Sequence, residues 1–284
     1  MQVNIIGGGF SGLSSAAMLA QKGYNVNVIE KNSQLGGRAR KFYAKDFMFD
    51  MGPSWYWMPD VFEKFFKTFN KNPEDYYKLI KLDPGFQIIF QNNETLKVPS
   101  NNEDLKQVFE QLESGSSKKL MRFMKEAKFK YDFSMNSFIY NPGVSWNEII
   151  KKEIFQNIFK LQVFQSYKKH VAHYFKNEKL RALLEFPVLF LGTAPKDTPA
   201  LYSLMAYSGL IQGTYYPMGG FNKVIEGMSS LCQELGVNIY TSENVQKIHV
   251  HNNKASHIET NNATYKSDVI VGSADYHHIE NKLL

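Results

Sequence analysis

The chain has 284 residues, of which 43% are hydrophobic and 14% aromatic, and this content suffices for one large or two modest domains. The formal net charge is +6, but the basic residues form no dense run. We therefore expect no nucleic-acid partner, and an anionic membrane surface is the other explanation of the charge. The single cysteine, Cys232, excludes an internal disulfide, suits a reducing cytoplasm and leaves no cysteine pair for a metal.

The first thirty residues predict a βαβ nucleotide-binding unit. An apolar run, Val3–Ile6, predicts a buried strand, and Gly7–Gly12 directly after it fits the pattern G-x-G-x-x-G. Ser11–Lys22 predicts a helix with a face of small residues, and Val26–Ile29 predicts a second strand that ends in Glu30. Because the unit starts at residue 2, we expect no signal peptide.

Each part of this unit has a role in holding a dinucleotide. The three motif glycines allow a tight turn and a close approach of the backbone to a pyrophosphate. The start of the helix offers free N–H groups and the positive end of its dipole. Glu30 can accept hydrogen bonds from a ribose 2′-hydroxyl, which favours an adenosine without a 2′-phosphate. The alternative, a glycine-rich loop without a ligand, is disfavoured because strand, helix, strand and acid all follow in order.

A second glycine pair favours FAD over NAD. Gly36, Gly37 and Arg38 come directly after the second strand, and the motif Phe49–Ser54 follows. Paired glycines let backbone N–H groups approach a phosphate or an isoalloxazine, and an arginine offsets the diphosphate charge. An NAD-dependent dehydrogenase would not need this pair. The alternative is a surface turn with an exposed arginine.

The middle of the chain contains two basic segments, Ser116–Phe133 and Lys151–Lys179, with Phe, Met and Ile at helical spacing. Such segments can lie at a membrane interface, although the pattern alone favours ordinary helices packed on their own core. His170 and His173 fall on the second segment, where we expect a solvated helix face rather than a metal site. Around these segments the sequence predicts helices at Pro59–Phe69 and Asn102–Leu112, and strands at Gly85–Phe90 and Thr95–Val98.

Thr198–Asn222 has no charged residue, but its prolines and glycines exclude a membrane-spanning helix. It predicts a buried helix followed by the glycine-rich loop Tyr216–Gly220. A helix, Phe221–Leu235, comes next. Four short strands follow, and the last of them is expected to return to the first sheet: Val237–Tyr240, Val245–Val250, Lys254–Thr260 and Asp268–Val271.

These elements predict an α/β fold with a discontinuous domain. Residues 1–75 and 212–284 would form a Rossmann-like FAD-binding domain. The run Glu30–Arg38 resembles the signature of FAD-dependent enzymes of the amine oxidase and phytoene desaturase superfamily, which implies a domain of that type. Residues 76–211 would form an inserted, mixed α+β region that binds substrate and associates with a membrane.

The chain resembles the bacterial-type carotenoid (phytoene) desaturases over its whole length. The motifs Gly7–Gly12, Glu30–Arg38 and Phe49–Ser54 are shared with the wider superfamily and specify FAD. More particular to carotenoid enzymes are the middle stretch and the glycine-rich loop, and the resembling stretches are Glu185–Gly192, Thr198–Tyr202, Tyr216–Gly220 and Gly272–Asp275.

This resemblance implies which residues hold the FAD. They are the residues of the motifs and of the returning strands: Gly7, Gly9, Phe10, Ser11, Gly12, Glu30, Lys31, Gly36, Gly37, Arg38, Gly52, Pro53, Ser54, Gly219, Gly220, Val245 and Ala274.

The resemblance also implies desaturation of phytoene or a similar carotenoid precursor, with hydride transfer to the flavin. A hydrocarbon has no group to protonate, which accounts for the lack of an obvious catalytic dyad, and we assign no catalytic residue. A lipophilic polyene resides in the bilayer, so we expect a cytoplasmic protein attached peripherally to the inner face of the membrane. The expected substrate-tunnel residues, for which plain core packing is the alternative, are Trp55, Trp57, Met58, Phe186, Phe190, Tyr202 and Met205.

The length departs from the family pattern, because family members continue well beyond this point. We therefore expect that residues 1–284 lack part of the substrate domain and the last FAD contacts. A complementing C-terminal polypeptide is the corresponding expected partner.

Three other functions stay open from the sequence. A hydroxycarotenoid 3,4-desaturase differs in its substrate alone. An inactive FAD-binding fragment fits the short chain. A flavin amine oxidase fits the N-terminal motifs, but the lipophilic middle segment offers no clear site for a polar amine.

Overall fold

The structure is a computed structural model, and it describes residues 1–91, 93–137, 139–142, 144–145 and 152–284. The start of the predicted segment Lys151–Lys179 therefore lies outside the described residues. The chain forms two compact units. The first unit comprises Met1–Ile80 with Tyr216–Leu284, and the second comprises Lys81–Tyr215. The assignment of these units to cofactor and substrate stays a prediction.

The helices and strands follow one another in this order. The first passage through unit one contains β1 (Gln2–Ile6), α1 (Phe10–Gln21), β2 (Asn25–Ile29), β3 (Lys41–Ala44), β4 (Phe47–Asp50), α2 (Pro59–Lys67) and β5 (Leu79–Lys81). The second unit contains β6 (Phe86–Ile89), β7 (Thr95–Val98), α3 (Asn102–Leu112), α4 (Ser116–Ser137), α5 (Lys152–Leu161), α6 (Tyr167–Tyr174), α7 (Glu178–Glu185) and α8 (Leu204–Tyr207). The return passage contains β8 (Tyr215–Pro217), α9 (Asn222–Glu234), β9 (Asn238–Tyr240), β10 (Val245–His251), β11 (Lys254–Thr260), β12 (Thr264–Lys266), β13 (Val269–Gly272) and α10 (Tyr276–His278).

A four-stranded parallel sheet forms the centre of the first unit. Its strand order is β13-β1-β2-β9, with Val3 opposite Val26 on one side and Val269 on the other. Helix α1 buries Leu13 and Ala16, whose small and branched side chains allow a close approach to other elements of the core. The prediction that the last strand returns to the first sheet is confirmed.

The first unit also contains a three-stranded antiparallel sheet, β10-β11-β12. Its inward-facing side chains, Ile248 and Ile258, share one apolar cluster with Ile6 and Ile29 of the parallel sheet. Because residues on one face of a strand recur at every second position, this contact fixes which side of β10 and β11 is buried.

The hairpin β3–β4 was absent from the sequence predictions. Its strands pair in antiparallel register from Lys41–Asp50 to Ala44–Phe47, and the Phe42 and Phe49 rings stack with centroids 5.0 Å apart. Both residues are 45% exposed.

The second unit is built on α4, a helix of 22 residues. Its inner face buries Leu120, Phe123 and Ala127, and Phe123 packs edge-on against Phe175 at the end of α6. Lys130 is also fully buried on this helix, where its ammonium group donates three hydrogen bonds within the unit.

The expectation of a solvated face around His170 was wrong. The His170 side chain is 2% exposed, and its ring stacks on Phe123 with centroids 5.2 Å apart. Burial lowers the pKa of His170 to about 3, and the positive charge of Lys130 acts in the same direction. His173, three residues further on, does face solvent.

Two helical predictions have different outcomes. The segment Lys151–Lys179 is divided between α5 and α6 by a connection in which Gln162 has a φ of +54°. The predicted helix after Thr198 is present as one continuous helical run, Ala200 to Gln212, which passes from a 3-10 turn through α8 to a π turn, with Pro199 before it and Gly213 after it. The described residues include no helix with the length and hydrophobicity needed to span a bilayer.

Candidate functional site

The loop between β1 and α1 is held in one conformation by its own backbone. Gly7 has a φ of +103°, which side chains other than glycine rarely adopt, and its N–H donates to the Ile29 carbonyl at 2.8 Å. A Cβ on Gly12 would lie 1.9 Å from the Gly7 carbonyl oxygen. The glycines therefore let α1 begin directly against the loop, as a dinucleotide cradle requires.

The start of α1 is open to an anion. The residue before the helix is Gly9, which provides no side-chain cap, and the first turn contains no acidic residue. The first N–H groups of the helix and the positive end of its dipole therefore have no competing negative group on α1 itself. Ser11 is exposed beside this opening, and Phe10 is half-buried between the rings of Phe62 and Phe221.

Glu30 directly follows the second strand, and its side chain forms hydrogen bonds that hold the glycine loop in place. Its side chain is 4% exposed, and its Oε2 accepts a hydrogen bond from the Gly8 N–H at 2.8 Å. Its Oε1 accepts from the Asn32 backbone N–H at 2.9 Å and from the Asn32 side-chain amide. An ionised carboxylate offers about four acceptor positions, so one remains for a ribose hydroxyl. The neighbouring Lys31 points into solvent.

The structure brings the second glycine pair against the first loop. The Gly36 N–H donates to the Gly8 carbonyl at 2.8 Å, and a Cβ on Gly37 would lie 3.4 Å from the Gly9 Cα. Gly36 and Gly37 both have positive φ values. Arg40 Nε donates to the Gly37 carbonyl at 2.8 Å and fixes the far side of the turn.

Arg38 is exposed, which fits both a contact with a diphosphate and a surface turn. Its carbonyl oxygen supports the next motif, since a Cβ on Gly52 would lie 2.2 Å from it. Pro53 and Ser54 follow at the surface.

The loop at Gly219 and Gly220 joins the same group of motifs. Both glycines have positive φ values, of 90° and 96°. The Asp50 carboxylate accepts the Phe221 N–H at 3.0 and 3.1 Å, and the Asn222 side-chain amide donates to the Ala39 carbonyl at 3.4 Å. The motifs from both ends of the chain therefore meet in the first unit.

The last two predicted residues, Ala274 and Val245, differ in their surroundings. Ala274 comes directly after Ser273, whose N–H donates to the Ile6 carbonyl at 2.9 Å beside Gly7. The Val245 side chain is buried in the apolar cluster behind the parallel sheet. Any contact of Val245 with a cofactor would therefore involve its backbone.

Sequence reasoning missed four residues that hold these loops in place. Arg40, Asp50 and Asn222 each bond a backbone group in or beside a motif, and Asn32 donates to the Glu30 carboxylate. Asn32 and Asp50 had a signal, because they lie inside the motifs Glu30–Arg38 and Phe49–Ser54. Arg40 and Asn222 lie outside the motifs.

The substrate-tunnel candidates fall in both units. In the first unit, the Trp55 and Trp57 rings lie 5.8 Å apart, and Met58 has a φ of +57° before α2. In the second unit, the Phe186 and Phe190 rings lie 5.3 Å apart on a 3-10 turn. Two further candidates of the second unit are half-buried beside α8, Tyr202 and Met205. A tunnel that uses all of these residues stays a prediction.

The chemistry of the cradle fits FAD. A diphosphate suits the open helix start and the two glycine loops, which bring backbone N–H groups to one place. The Ser273 hydroxyl oxygen is buried beside Gly12 and has no hydrogen-bond partner among the described residues, so it is free to contact a phosphate. Within the same part of the chain, no group of three or more His, Cys, Asp or Glu side chains could hold a metal.

Comparisons with known proteins show which proteins this chain is similar to. Two relatives match along almost the whole chain. The carotenoid 3,4-desaturase of Haloarcula japonica is 38% identical over 284 residues, which are 99% of this chain and 57% of that protein. The 4,4′-diapophytoene desaturase of Staphylococcus aureus strain Newman is 30% identical over 286 residues, 100% of this chain and 57% of that protein. The chain thus spans little more than half the length of these relatives, and the predicted resemblance to carotenoid desaturases is confirmed.

A solved structure and a family description show the fold and the wider family of the chain. A putrescine oxidase structure covers 100% of the chain, and the chain covers 60% of it, with a TM-score of 0.61 and 17% identity. Residues 10–284 match the family described as flavin containing amine oxidoreductase. These findings confirm the predicted α/β fold class and the predicted flavin cofactor, FAD. The chain belongs to the flavin containing amine oxidoreductase family.

Proposed function

We propose that this chain takes part in the FAD-dependent desaturation of phytoene or a similar carotenoid precursor. The observation that carries the proposal is the pair of relatives named as carotenoid desaturases, whose similarity covers both units of the chain. Because the match includes residues 81–215, it extends beyond the nucleotide-binding motifs that the whole family shares.

In such a reaction two neighbouring carbons of the substrate lose one hydrogen each, one as hydride and one as a proton. Bound FAD supplies the two-electron acceptor for the hydride. The residues of this chain would position the acceptor: the glycine loops would hold its diphosphate, and Arg40 and Asp50 hold the turns that carry these loops. A hydrocarbon offers no oxygen to protonate, so orientation and exclusion of water are the main tasks of the protein.

The test begins with flavin content. We expect the purified chain to release FAD on heating in a ratio close to one per chain. Polyene desaturation is then measured as new conjugated absorbance, with the chain alone and together with a polypeptide that carries the remaining part of the relatives. If the chain binds FAD but forms no desaturated product in either condition, it is a flavoprotein without this activity, and the desaturase proposal is contradicted.

A 3,4-desaturase is the second candidate, and one observation favours it. The relative with 38% identity carries that activity in its name, whereas the 4,4′-diapophytoene desaturase is 30% identical. The two candidates differ in substrate, so products formed from phytoene and from a hydroxylated carotenoid, separated by chromatography, distinguish them. Conversion of the hydroxylated carotenoid alone would favour the 3,4-desaturase.

An amine oxidase remains the third candidate because the family description names amines. We rank it lower, because both named relatives act on lipophilic polyenes by their names. Release of hydrogen peroxide in proportion to a consumed amine would reverse that ranking.

We also propose that the protein attaches peripherally to the cytoplasmic face of the membrane, where a lipophilic polyene resides. The supporting observation is the distribution of basic and aromatic residues on the second unit. Flotation of cell extracts with membrane vesicles tests it, and recovery of all the protein in the soluble fraction would contradict it.

A further inference from the structure

Two phenylalanines protrude where α5 meets α6. Phe159 is 84% exposed and Phe164 is 82% exposed, whereas Ile154 and Leu161 of the same segment are buried. We call Phe159 and Phe164 the aromatic junction. A large apolar side chain that is almost fully exposed makes few contacts within this chain, and a contiguous exposed patch of such groups marks a contact surface.

The backbone around Phe164 is held by hydrogen bonds to a later stretch of the second unit. The Tyr167 N–H donates to the Thr198 carbonyl at 2.7 Å, and the Ala200 N–H donates to the Gln165 carbonyl at 2.7 Å. The buried Lys130 ammonium donates to Gln162 Oε1 at 2.7 Å. Phe164 therefore lies on a fixed connection between two helices, and Phe159 lies on the last turn of α5.

Within residues 154–177 the charged side chains have one sign, whereas Asp132 on α4 lies beside Asn157 and Glu185 interacts with Lys168. Residues 154–177 contain no Asp or Glu, and their exposed side chains include Lys160, Lys168 and Lys169. The Lys160 ammonium lies 5.9 Å from the centre of the Phe129 ring, itself partly exposed on α4. Apolar rings flanked by ammonium groups match the boundary between acyl chains and anionic headgroups.

A second apolar segment is linked to the same connection. The turn Phe186–Leu191 leaves Leu189, Phe190 and Leu191 exposed. The chain that follows this turn meets α6, because the Lys168 N–H donates to the Pro195 carbonyl at 3.0 Å. The second unit thus presents two separate apolar segments tied to one another by backbone hydrogen bonds.

We propose that the aromatic junction inserts into the interface of an anionic phospholipid bilayer, with Lys160, Lys168 and Lys169 contacting lipid phosphates. The inference rests on the proposed function in one respect, namely that the polyene substrate resides in the bilayer. It differs from an amphipathic helix lying flat, because the apolar face of the segment is buried at Ile154 and Leu161, and the contact is made by Phe159 on the last turn of α5 and Phe164 on the connection.

The lysines distinguish a lipid surface from a protein partner. Lysine is depleted in protein–protein interfaces, whereas polybasic groups near an apolar surface strengthen binding to anionic lipids. A bilayer therefore fits both the rings and the charges, and a second copy of this chain would bring equal positive charges together.

The test is co-flotation of the full chain with two vesicle preparations that contain no polyene. One consists of phosphatidylcholine, and the other is an equal mixture of phosphatidylcholine and phosphatidylglycerol. We expect binding to the mixed vesicles, weakened by salt. The double variant Phe159→Ser, Phe164→Ser should bind at least about tenfold more weakly, because two ring insertions are lost. A triple Lys→Gln variant at 160, 168 and 169 should lose the preference for phosphatidylglycerol.

The matched control is Phe47→Ser, which changes a 66% exposed phenylalanine on the hairpin β3–β4 of the first unit. It should bind vesicles like the unchanged chain. The proposal is overturned if the unchanged chain does not float, if the double variant floats equally well, or if Phe47→Ser loses as much binding. Gel filtration adds one more decisive result: a dimer that the double variant dissociates, without vesicle binding, would assign the surface to a second copy. Failure of this assay leaves the desaturase proposal intact, because neither substrate nor flavin turnover is measured.

Discussion

Gly12 is the residue with the least space in the nucleotide loop. A Cβ there would lie 1.9 Å from the Gly7 carbonyl oxygen, and this oxygen belongs to the backbone and cannot turn aside. We expect Gly12→Ala to destabilise the first unit by about 3 kcal/mol, the upper part of the usual range for overpacking, and to abolish FAD binding. Flavin content and the midpoint of thermal unfolding measure the two effects.

Gly23→Ala is the matched control at the other end of α1. Gly23 also has a positive φ, of 83°, but a Cβ there would meet no atom within 4 Å. The cost should be about 1 kcal/mol, with FAD retained, because only the backbone conformation is strained. Equal flavin loss in both variants would show that stability, rather than the shape of the loop, controls cofactor binding.

The burial of Lys130 should make the free energy of unfolding depend on pH in the alkaline range. Burial lowers the pKa of this ammonium group to about 8, while the usual value is 10.5. Between these two pH values the unfolded chain holds a proton that the folded chain has released. The free energy of unfolding should therefore rise with pH across that window, by about 3 kcal/mol at most.

Lys130→Met should remove that rise, and urea unfolding between pH 7.5 and 10.5 measures it. The variant leaves the Ala200 carbonyl and the Ser203 hydroxyl without their donor, so its stability near pH 9 should be lower than that of the unchanged chain. Lys128→Met, at an exposed position of the same helix, should keep the rise. An identical pH profile for the Lys130 and Lys128 variants would contradict the predicted shift.

At the level of elements, the parallel sheet contains a row of asparagines that an apolar strand pattern does not predict. Asn4 is fully buried on β1, and its Oδ1 accepts from Asn27 Nδ2 at 2.9 Å. Its own Nδ2 donates to the Lys266 carbonyl at 3.0 Å, and Asn238 Nδ2 donates to Asn27 Oδ1 at 3.0 Å. Neighbouring strands thus share side-chain hydrogen bonds across the sheet.

We expect Asn4→Leu to destabilise the fold by about 1–3 kcal/mol, because the Asn27 amide and the Lys266 carbonyl would lose their partner inside the protein. Asn25→Leu is the control, since Asn25 bonds to Gln2 at an exposed position of β2. Its cost should stay within about 0.5 kcal/mol. Denaturant unfolding compares the two, and equal costs would mean that the buried row adds no stability.

The elements that the sequence predicted well are those with a local signal. The bounds of β1, α1 and α3 differ from the predicted ones by a residue or less, because apolar spacing, glycines and caps lie within each element. The hairpin β3–β4 was missed because both its strands are apolar without alternation. The break between α5 and α6 has no proline or glycine, and it depends on hydrogen bonds to Thr198 and Ala200.

In the candidate site, too, the residues with a local sequence signal were predicted and those held by long-range contacts were not. Its glycines and Glu30 form a motif that is visible in one stretch of sequence. The supporting bond from the Phe221 N–H to Asp50 joins residues that are 171 positions apart, and no local pattern predicts such a pairing. Long-range contacts of this kind decide which loops meet. The sequence alone therefore predicted which cofactor binds, but not which residues hold the binding loops in position.

At the level of the whole molecule, the first unit depends on both ends of the chain. Its parallel sheet takes β1 and β2 from the first passage and β9 and β13 from the return. The chain 1–215 keeps all the glycine motifs up to Gly52, yet it would leave both outer positions of the sheet unpaired. We expect it to lose FAD binding and the cooperative unfolding of this unit, measured by flavin content and by limited proteolysis.

Addition of residues 216–284 as a separate polypeptide should restore both properties in part, because β9 and β13 bond to the sheet edges and Ser273 contacts Gly7. The comparison separates two ideas of the site. If 1–215 alone held FAD in the normal ratio, the glycine loops would be sufficient, and the contacts at Ser273, Gly220 and Asn222 would be dispensable. If the two polypeptides together hold FAD and neither does alone, the cradle is a property of the complete sheet, assembled from both ends of the chain.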